Sequence, residues 1–214
     1  MRFSSSLLVI GGTTASGKSA LALDAVERLA KGGVRAEIVN ADSVQLYRHL
    51  PILTARPDAA EEARAPHHLY GILEPREATD AARWLSLATA TIADIHERGG
   101  LPLLVGGTGL YIHSLLQGIA PVPDIDPAIR ETVRRIDAAE LHALLVQEDP
   151  AMAERLEPGD TQRLMRALEV VRSTGRSLAR WQEEPQAPPM RFDQVHGAVL
   201  LPPREEPGRG SRTA

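Results

Sequence analysis

Residues 12–19, Gly-Thr-Thr-Ala-Ser-Gly-Lys-Ser, constrain the fold more than any other part of the sequence. They follow a short apolar run at residues 7–10 and precede apolar positions at helical spacing, a pattern that predicts a buried strand, a glycine-rich turn and a helix. Such a turn lets backbone N–H groups surround a diphosphate, and the helix N-terminus adds positive potential. The sequence therefore predicts a P-loop in an α/β fold.

The lysine of this loop stands in a chain whose cations are almost all arginine. Of 24 basic residues, only Lys18 and Lys31 are lysine. A compact ammonium at position 18 can neutralise phosphate charge, and the hydroxyl of Ser19 can bind Mg²⁺. Both residue types therefore suit a phosphorylated ligand, which includes a nucleotide.

Composition excludes several other classes of chemistry. Without cysteine the chain has no thiol nucleophile and no thiolate metal ligand, and this favours a cytoplasmic location. A net charge of −4 and 3% aromatic residues argue against nucleic-acid binding by bulk charge or by base stacking. No apolar run approaches the roughly 20 residues that a membrane span requires. We therefore expect a chain with no membrane partner, and we expect it to be a monomer.

Several strands are predicted to end at one edge of a parallel sheet. The predicted strands are the apolar runs 7–10, 36–40, 101–105 and 195–201. Ligands of open α/β sheets bind beyond the carboxyl ends of the strands. We therefore expect Gly11, Asp42 and Gly106 to face one crevice.

The rest of the chain divides by composition. The proline-punctuated stretch 51–75, which contains His67 and His68, is predicted to be irregular, and a helix is predicted to begin at Thr79. The predicted domains are a core of residues 1–119 plus 190–206, a helical insertion at 120–189 and a disordered tail at 207–214.

Asp42 is the first candidate for chemistry beyond the loop. A carboxylate just past a strand end can hold a metal, orient an acceptor hydroxyl or accept a proton. An Asx turn that caps the residues after it is the structural alternative. The run 101–105 has no terminal aspartate of the kind that holds magnesium in NTPases. A small-molecule kinase or NTPase remains an alternative, although hydrolysis is disfavoured.

Six strings in order resemble one family. They are residues 12–19, Asp-Ser-Val-Gln-Leu-Tyr-Arg at 42–48, Thr-Ala-Arg-Pro at 54–57, Pro-His-His at 66–68, Gly-Gly-Thr-Gly-Leu-Tyr at 106–111 and Gln-Arg-Leu-Met-Arg-Ala-Leu-Glu at 162–169. Together they resemble the tRNA dimethylallyltransferase (tRNA isopentenyltransferase) family, and the resemblance extends to about Arg204. It implies a P-loop NTPase-like parallel sheet with flanking helices and a helical insertion.

The resemblance also implies a reaction and a set of residues for it. The family transfers a dimethylallyl group from dimethylallyl diphosphate to N6 of the adenosine 3′ of the tRNA anticodon, with Mg²⁺. The implied catalytic residues are Asp42, Thr108 and Lys18, and the implied metal ligand is Ser19. The implied diphosphate-binding or nucleotide-binding residues are Gly12, Thr13, Thr14, Ala15, Ser16, Gly17, Lys18, Ser19 and Arg204. The implied tRNA-binding residues are Asp42, Ser43, Val44, Gln45, Thr108, Arg130, Gln162, Arg163, Leu164, Met165 and Arg166.

The sequence departs from the family pattern at a few positions. Thr13 replaces a usual proline, and residues 52–54 read Ile-Leu-Thr where Ile-Gly-Thr is common. After residue 206 the chain runs into Gly, Arg and Ser, whereas family members continue through further helices. We therefore expect weak or absent activity toward tRNA, and an inactive fragment of the transferase is a second alternative.

Overall fold

The computed structural model describes residues 5–49 and 51–201. The chain forms two compact units. The first comprises the described residues up to Gln117 together with those from Pro188 onwards, and the second is Gly118–Ala187. Each unit has its own apolar core.

A parallel sheet forms the centre of the first unit. Within the described residues its five strands are β1 Ser6–Gly12, β2 Ala36–Asn40, β3 His67–His68, β4 Leu101–Gly106 and β5 Gln194–Leu200. The strand order is β3-β2-β4-β1-β5, and every neighbouring pair is parallel. The predicted α/β class with a parallel sheet is confirmed.

Helices cover both faces of this sheet. They are α1 Lys18–Lys31, α2 Ala59–Arg64, α3 Ala81–Glu97 and α4 Gly109–Gln117. On one face, Trp84 of α3 packs with the strands and stacks on Tyr111 of α4, with ring centroids 4.4 Å apart. On the other face, Leu23 and Val26 of α1 pack against β2 and β4. The strands β2 and β4 are buried along their whole length, which explains their continuous apolar runs.

The prediction of an irregular stretch at 51–75 was wrong in part. Asp58 and Glu61 form a capping box that begins α2 despite the nearby prolines. The short strand β3 then pairs with Ile38 and Val39 of β2. The predicted start of α3 at Thr79 was also displaced, because Asp80 is the N-cap and accepts a hydrogen bond from the Arg83 N–H at 2.8 Å.

The last described strand, β5, lies at an edge of the sheet. Its residues pair with β1 over the full length of both strands. Most of its residues are exposed, in contrast to those of β2 and β4. The sheet is therefore buried at its centre and open at β5.

The second unit is helical. Its helices are α5 Pro127–Arg134, α6 Ala138–Glu148, α7 Pro150–Ala153, α8 Thr161–Thr174 and α9 Leu178–Gln182. Leu141, Leu145, Leu164 and Leu168 are fully buried in its core. Among all helices that the structure describes, none has the length and apolar character to cross a membrane.

Candidate functional site

The turn between β1 and α1 presents free backbone donors. Ala15 and Gly17 adopt positive φ angles of 61° and 84°, which turn the chain sharply into the helix. Gly17 is the N-cap of α1 and supplies no side-chain acceptor. Since the first N–H groups of any helix lack partners within the helix, this end of α1 suits an anion.

Two side chains of the turn add to this property. Lys18 is 8% exposed, and its Nζ donates to the carbonyl of Thr13 at 3.1 Å. No carboxylate in the described part of the chain pairs with it. The Oγ of Ser16 is buried, and no group in the described ranges 5–49 and 51–201 forms a hydrogen bond with it. A buried cation and an unsatisfied hydroxyl therefore stand in a turn that already presents N–H groups.

Glycines let the neighbouring strand ends approach this turn. A Cβ on Gly106 would collide with the main chain of Ala41, and a Cβ on Gly107 would lie 2.8 Å from the carbonyl oxygen of Gly12. The ends of β1, β2 and β4 are consequently in contact. The strand ends thus meet at this edge of the sheet, as expected, although of Gly11, Asp42 and Gly106 only Asp42 lines the cavity found within the described residues.

Asp42 lies just past β2 at this edge. Its Oδ1 accepts a hydrogen bond at 3.2 Å from the N–H of Val44, the first residue of the short 3₁₀ turn Val44–Leu46. Its Oδ2 makes no hydrogen bond within the described residues. The carboxylate thus has a local structural role, as the Asx-turn alternative requires, and still has one oxygen available to a ligand.

Thr108 joins the end of β4 to the segment after Asp42. Its Oγ1 accepts from the Ser43 N–H at 3.0 Å, and its own N–H donates to the carbonyl of Ala41 at 3.1 Å. The side chain of Thr108 is half-buried. Thr108 therefore lies against the predicted catalytic segment, although it is 65 residues away in the chain.

A cavity of about 290 Å³ opens between these elements. It is lined by Thr14, Ala15, Ser16, Gly17, Lys18, Ser19, Ala20, Asp42, Val44, Gln45, Leu53, Thr54 and Ala55. One side is the turn between β1 and α1, whereas Val44, Leu53 and Ala55 contribute carbon on the other. A ligand that fills this cavity would have an anionic end and an apolar end.

Gln45 fixes the apolar side of the cavity. Its buried side chain donates from Nε2 to the carbonyls of Thr54 at 2.8 Å and Ala55 at 2.9 Å. Both contacts are to the chain's own backbone, so the amide N–H groups of Gln45 are already used. The predicted contact of Gln45 with RNA stays a prediction.

The pKa of Tyr70 is influenced by its burial and by a carboxylate of the site. Burial raises the pKa of its hydroxyl, and the nearby carboxylate of Asp42 raises it further. Tyr70 therefore stays neutral at physiological pH.

The remaining predicted site residues lie elsewhere. In the second unit, Gln162, Arg163 and Arg166 are exposed on α8, whereas Leu164 is fully buried and its side chain faces the core. Met165 is half-buried and packs against that core, and Arg130 lies on α5. Arg204 lies outside the described residues.

The sequence reasoning missed two features of this site. Asn40 is fully buried and contacts the backbone of Asp42, and a polar residue at the end of an apolar strand was the available signal. Leu53 lines the cavity although it is 79% exposed. Its segment had no periodicity that could have placed it there.

Comparison with known proteins gives consistent matches. Residues 45–207 match the IPP transferase family. The chain is 51% identical over 199 residues to the tRNA dimethylallyltransferase of Sphingopyxis alaskensis, and 49% identical over 203 residues to that of Rhodospirillum centenum. Each alignment covers 93% of this chain but only 64% and 63% of the relative. The chain therefore spans less than two thirds of the length of these relatives.

Solved structures agree with this result. A eukaryotic dimethylallyltransferase described as acting on tRNA matches with a TM-score of 0.74 and 28% identity, over 92% of this chain and 48% of that one. A tRNA isopentenylpyrophosphate transferase from Bacillus halodurans matches with a TM-score of 0.54 and 33% identity, over 91% of this chain and 60% of the other.

Proposed function

Because this chain belongs to the IPP transferase family, we propose that it transfers a dimethylallyl group from dimethylallyl diphosphate to N6 of the adenosine 3′ of the anticodon in tRNA. The observation that carries the proposal is the placement of Lys18, a buried cation without a carboxylate partner, in the same cavity as Asp42. One group suits a diphosphate leaving group, and the other suits a nucleophile that must lose a proton.

The diphosphate end of the donor binds to the turn between β1 and α1. The N–H groups at the start of α1 donate to phosphate oxygens, and Lys18 neutralises their charge. The buried hydroxyl of Ser16 gains the partner that it otherwise lacks. As the bond between the donor carbon and the diphosphate breaks, negative charge grows on the leaving group, and these donors stabilise it.

Oxygen ligands for Mg²⁺ are present in the same cavity. Mg²⁺ prefers hard oxygen donors and is usually held by one or two carboxylates, water and substrate phosphates. The hydroxyl of Ser19 lines the cavity, and oxygens of the bound diphosphate would complete the donor set, so the site fits this ion. When bound, Mg²⁺ supplies further positive charge for the diphosphate.

Asp42 acts on the acceptor. The N6 amine of the adenine attacks the first carbon of the donor, the carbon–oxygen bond to the diphosphate breaks, and the N6 proton passes to Asp42. An aromatic amine is a weak nucleophile, so its position and a nearby base both contribute to the rate. The free Oδ2 of Asp42 is the atom that accepts the proton, and Thr108 fixes the adjacent segment.

The dimethylallyl chain lies on the apolar side of the cavity. Val44 and Leu53 are 53% and 79% exposed there, so a bound aliphatic chain would remove them from water. The turn that carries Leu53 is held in place by Gln45.

RNA contacts on the second unit involve arginines that are loosely held. Arg130 and Arg166 approach Glu169 only to 3.8 Å and 3.9 Å, whereas Arg172 contacts Glu148 at 2.6 Å. Arginines with long ion pairs lose little when they turn to RNA phosphates, and phosphate contacts position a nucleic acid. Gln162 and Arg163 lie exposed on the same helix as Arg166.

The test is transfer of radiolabelled dimethylallyl from its diphosphate to an unmodified anticodon stem-loop with Mg²⁺. The matched control is the same stem-loop with guanosine in place of the target adenosine, because guanine lacks the N6 amine. We expect label only in the adenosine RNA.

Two outcomes would contradict the proposal. Label in neither RNA, with the donor shown to bind, would oppose transfer by this chain. Consumption of ATP that needs a small-molecule acceptor and no RNA would favour a P-loop kinase.

A further inference from the structure

Asn40 is the last residue of β2, and its side chain holds the backbone of Asp42 from both sides. Its Oδ1 accepts from the Asp42 N–H at 2.8 Å, and its Nδ2 donates to the Asp42 carbonyl at 3.0 Å. The same Nδ2 donates to the carbonyl of Leu69, also at 3.0 Å. All three contacts lie within ordinary hydrogen-bond distance. One amide therefore fixes both peptide groups of a single residue and joins it to the segment after β3.

The surroundings of Asn40 leave this amide no other position. Asn40 is 0% exposed, and its main-chain carbonyl accepts from the indole Nε1 of Trp84 at 3.0 Å. Trp84 is also fully buried and stacks on Tyr111. A buried polar side chain stays where its hydrogen bonds are made, because an unmade bond costs free energy. The core of the first unit thus determines where Asn40 lies, and Asn40 determines where Asp42 lies.

We propose that Asn40 is a positioning residue for the transfer reaction, because it holds Asp42 so that the free oxygen of its carboxylate points into the cavity beside the phosphate-binding turn. This inference rests on the proposed function for the role of Asp42. It assigns to Asn40 no contact with donor or RNA. The residue acts through the backbone of Asp42 alone.

Apart from Asn40, few groups within the described residues hold Asp42 in place. Its carboxylate has one hydrogen bond, from the Val44 N–H at 3.2 Å, and that partner belongs to the same loop. Without Asn40 the loop would keep this local bond and the bond from Ser43 to Thr108, but the two peptide groups of Asp42 would lose their contacts with the side chain at the end of β2. A displacement of about 1 Å in a reacting group can lower a rate about 100-fold. The diphosphate end of the cavity is lined by residues 14–20, to which the side chain of Asn40 makes no hydrogen bond within the described residues, so binding there should persist.

The first measurement is hydrogen exchange of the Asp42 backbone amide by NMR. Asn40→Ala removes its acceptor, and we expect exchange at least about tenfold faster than in the unchanged chain. Ser114→Ala is the matched control, because Ser114 is also 0% exposed and its Oγ donates to one backbone carbonyl, that of Tyr111, at 2.9 Å. That control should leave the Asp42 amide unchanged. Equal protection of this amide in Asn40→Ala and in the unchanged chain would overturn the proposal.

The second measurement is a double-mutant cycle on the transfer rate. We expect Asn40→Ala to lower kcat about 30- to 100-fold, with the KM for the donor and the affinity for inorganic diphosphate within about twofold. In an Asp42→Ala background the same change should have little further effect, because residues that act as one unit are not additive. An equal loss in both backgrounds, or a parallel loss of diphosphate affinity, would show a general structural role and contradict the inference.

The variant Asn40→Asp guards against a simple failure to fold. It keeps the size of the side chain and the acceptor for the Asp42 N–H, but it places an oxygen against the two carbonyls that Nδ2 now contacts. We expect its transfer rate also to fall, with the Asp42 amide less exposed to exchange than in Asn40→Ala. If the Asp42 amide exchanges as fast in Asn40→Asp as in Asn40→Ala, the acceptor oxygen of residue 40 does not protect this amide, and the proposal is contradicted. Absence of transfer by the unchanged chain would contradict the proposed function, whereas the exchange comparison would still decide whether Asn40 holds Asp42.

Discussion

Two acidic residues lie near the two ends of β2, and their carboxylates differ in the number of partners that they contact. Near the amino end, the side chain of Glu37 is 1% exposed, and Arg98, Arg35 and His68 all contact it at distances between 2.6 Å and 3.0 Å. Just beyond the carboxyl end, Asp42 has one backbone hydrogen bond and a free oxygen. Near its amino end, β2 thus carries a carboxylate with partners on both oxygens. Just past its carboxyl end lies a carboxylate with one oxygen free among the described residues.

The difference separates charge that stabilises the fold from charge that is available to a ligand. Burial alone would raise the pKa of Glu37, but hydrogen bonds from Arg98 and His68 outweigh it and hold that pKa at about 2. Such a group is fully committed to its partners. Lys18 resembles Asp42 instead, because within the described residues its ammonium contacts a backbone carbonyl and no carboxylate. Lys18 and Asp42, neither of which has an ion pair within the described residues, thus line the same cavity.

The largest effect is expected at Asp42, the carboxylate with a free oxygen. Asp42→Asn keeps the size of the side chain and removes the proton acceptor, so kcat for transfer should fall about 1000-fold. The affinity for inorganic diphosphate, measured by calorimetry as the control, should stay within about twofold. A variant that retains a tenth or more of the transfer rate would show that Asp42 is not the base.

The next effect concerns the unpaired cation. Lys18→Met should weaken binding of inorganic diphosphate about 100-fold, since it removes a desolvated positive charge and its hydrogen bonds to the ligand. Lys31→Met is the matched control, because Lys31 lies in the last turn of the same helix. Equal affinities for the two variants would place the diphosphate elsewhere.

Removing the charge of Glu37 should lower the stability of the protein and leave the transfer rate unchanged. Glu37→Gln should lower the free energy of unfolding at pH 7 by about 2 kcal/mol, because Arg98 and Arg35 lose the carboxylate that they share. The native pKa of about 2 lies below the ordinary 4.5, so the stabilisation from the ionised carboxylate is complete above pH 4.5 and is lost as pH falls toward 2.

Urea titrations of Glu37→Gln and the unchanged chain between pH 3 and pH 7 test this. The difference between them should shrink as the pH falls. A difference independent of pH would mean that the ion pairs contribute nothing through ionisation.

A smaller effect is expected on the apolar side of the cavity. Leu53→Ala should weaken binding of dimethylallyl diphosphate about fivefold, because less apolar surface is removed from water, and should leave inorganic diphosphate unaffected. Ile52→Ala provides the control, since Ile52 is 94% exposed on the same turn and does not line the cavity. If both variants bind both ligands alike, the dimethylallyl chain does not lie on Leu53.

The smallest effect is expected on the second unit. Arg166→Gln should weaken RNA binding about threefold and reduce the slope of log affinity against log salt by about one, as loss of one phosphate contact requires. Arg180→Gln removes an exposed arginine that is held by Glu183 at 2.9 Å, and it should change neither quantity. Identical salt slopes for Arg166→Gln and the unchanged chain would contradict an RNA contact there.

The local parts of this architecture were predictable, whereas its cross-connections were not. Short-range apolar patterning and glycine predict β1, the turn after it, β2, β4 and α1, and the structure has these elements where they were predicted. The α2 helix was missed because prolines on both sides outweighed the capping box of Asp58 and Glu61. Local patterning cannot reveal a hydrogen bond between Ser43 and Thr108, which are 65 residues apart.

The candidate site shows the same limit. Spacing and the family resemblance led to Lys18 and Asp42 because both belong to recognisable strings. Asn40 and Leu53 belong to none, and only the fold shows what they contact. The predicted roles of the α8 residues remain predictions, although the full burial of Leu164 leaves its exposed neighbours on that helix as the candidates for contact.

The position of β5 has a consequence for the order of folding. The turn between β1 and α1 follows β1, and β5 is the neighbour of β1 at the edge of the sheet. The main chain at Leu200 lies so close to Gly12 that a Cβ on Gly12 would be 2.6 Å from the carbonyl oxygen of Leu200. Almost the entire described chain, including the second unit, separates these two strands in sequence. Contacts between such distant segments form slowly, because loop closure must precede them. The turn should therefore gain its contacts with β5 late in folding. Because β5 is largely exposed, this strand should also be among the first to detach.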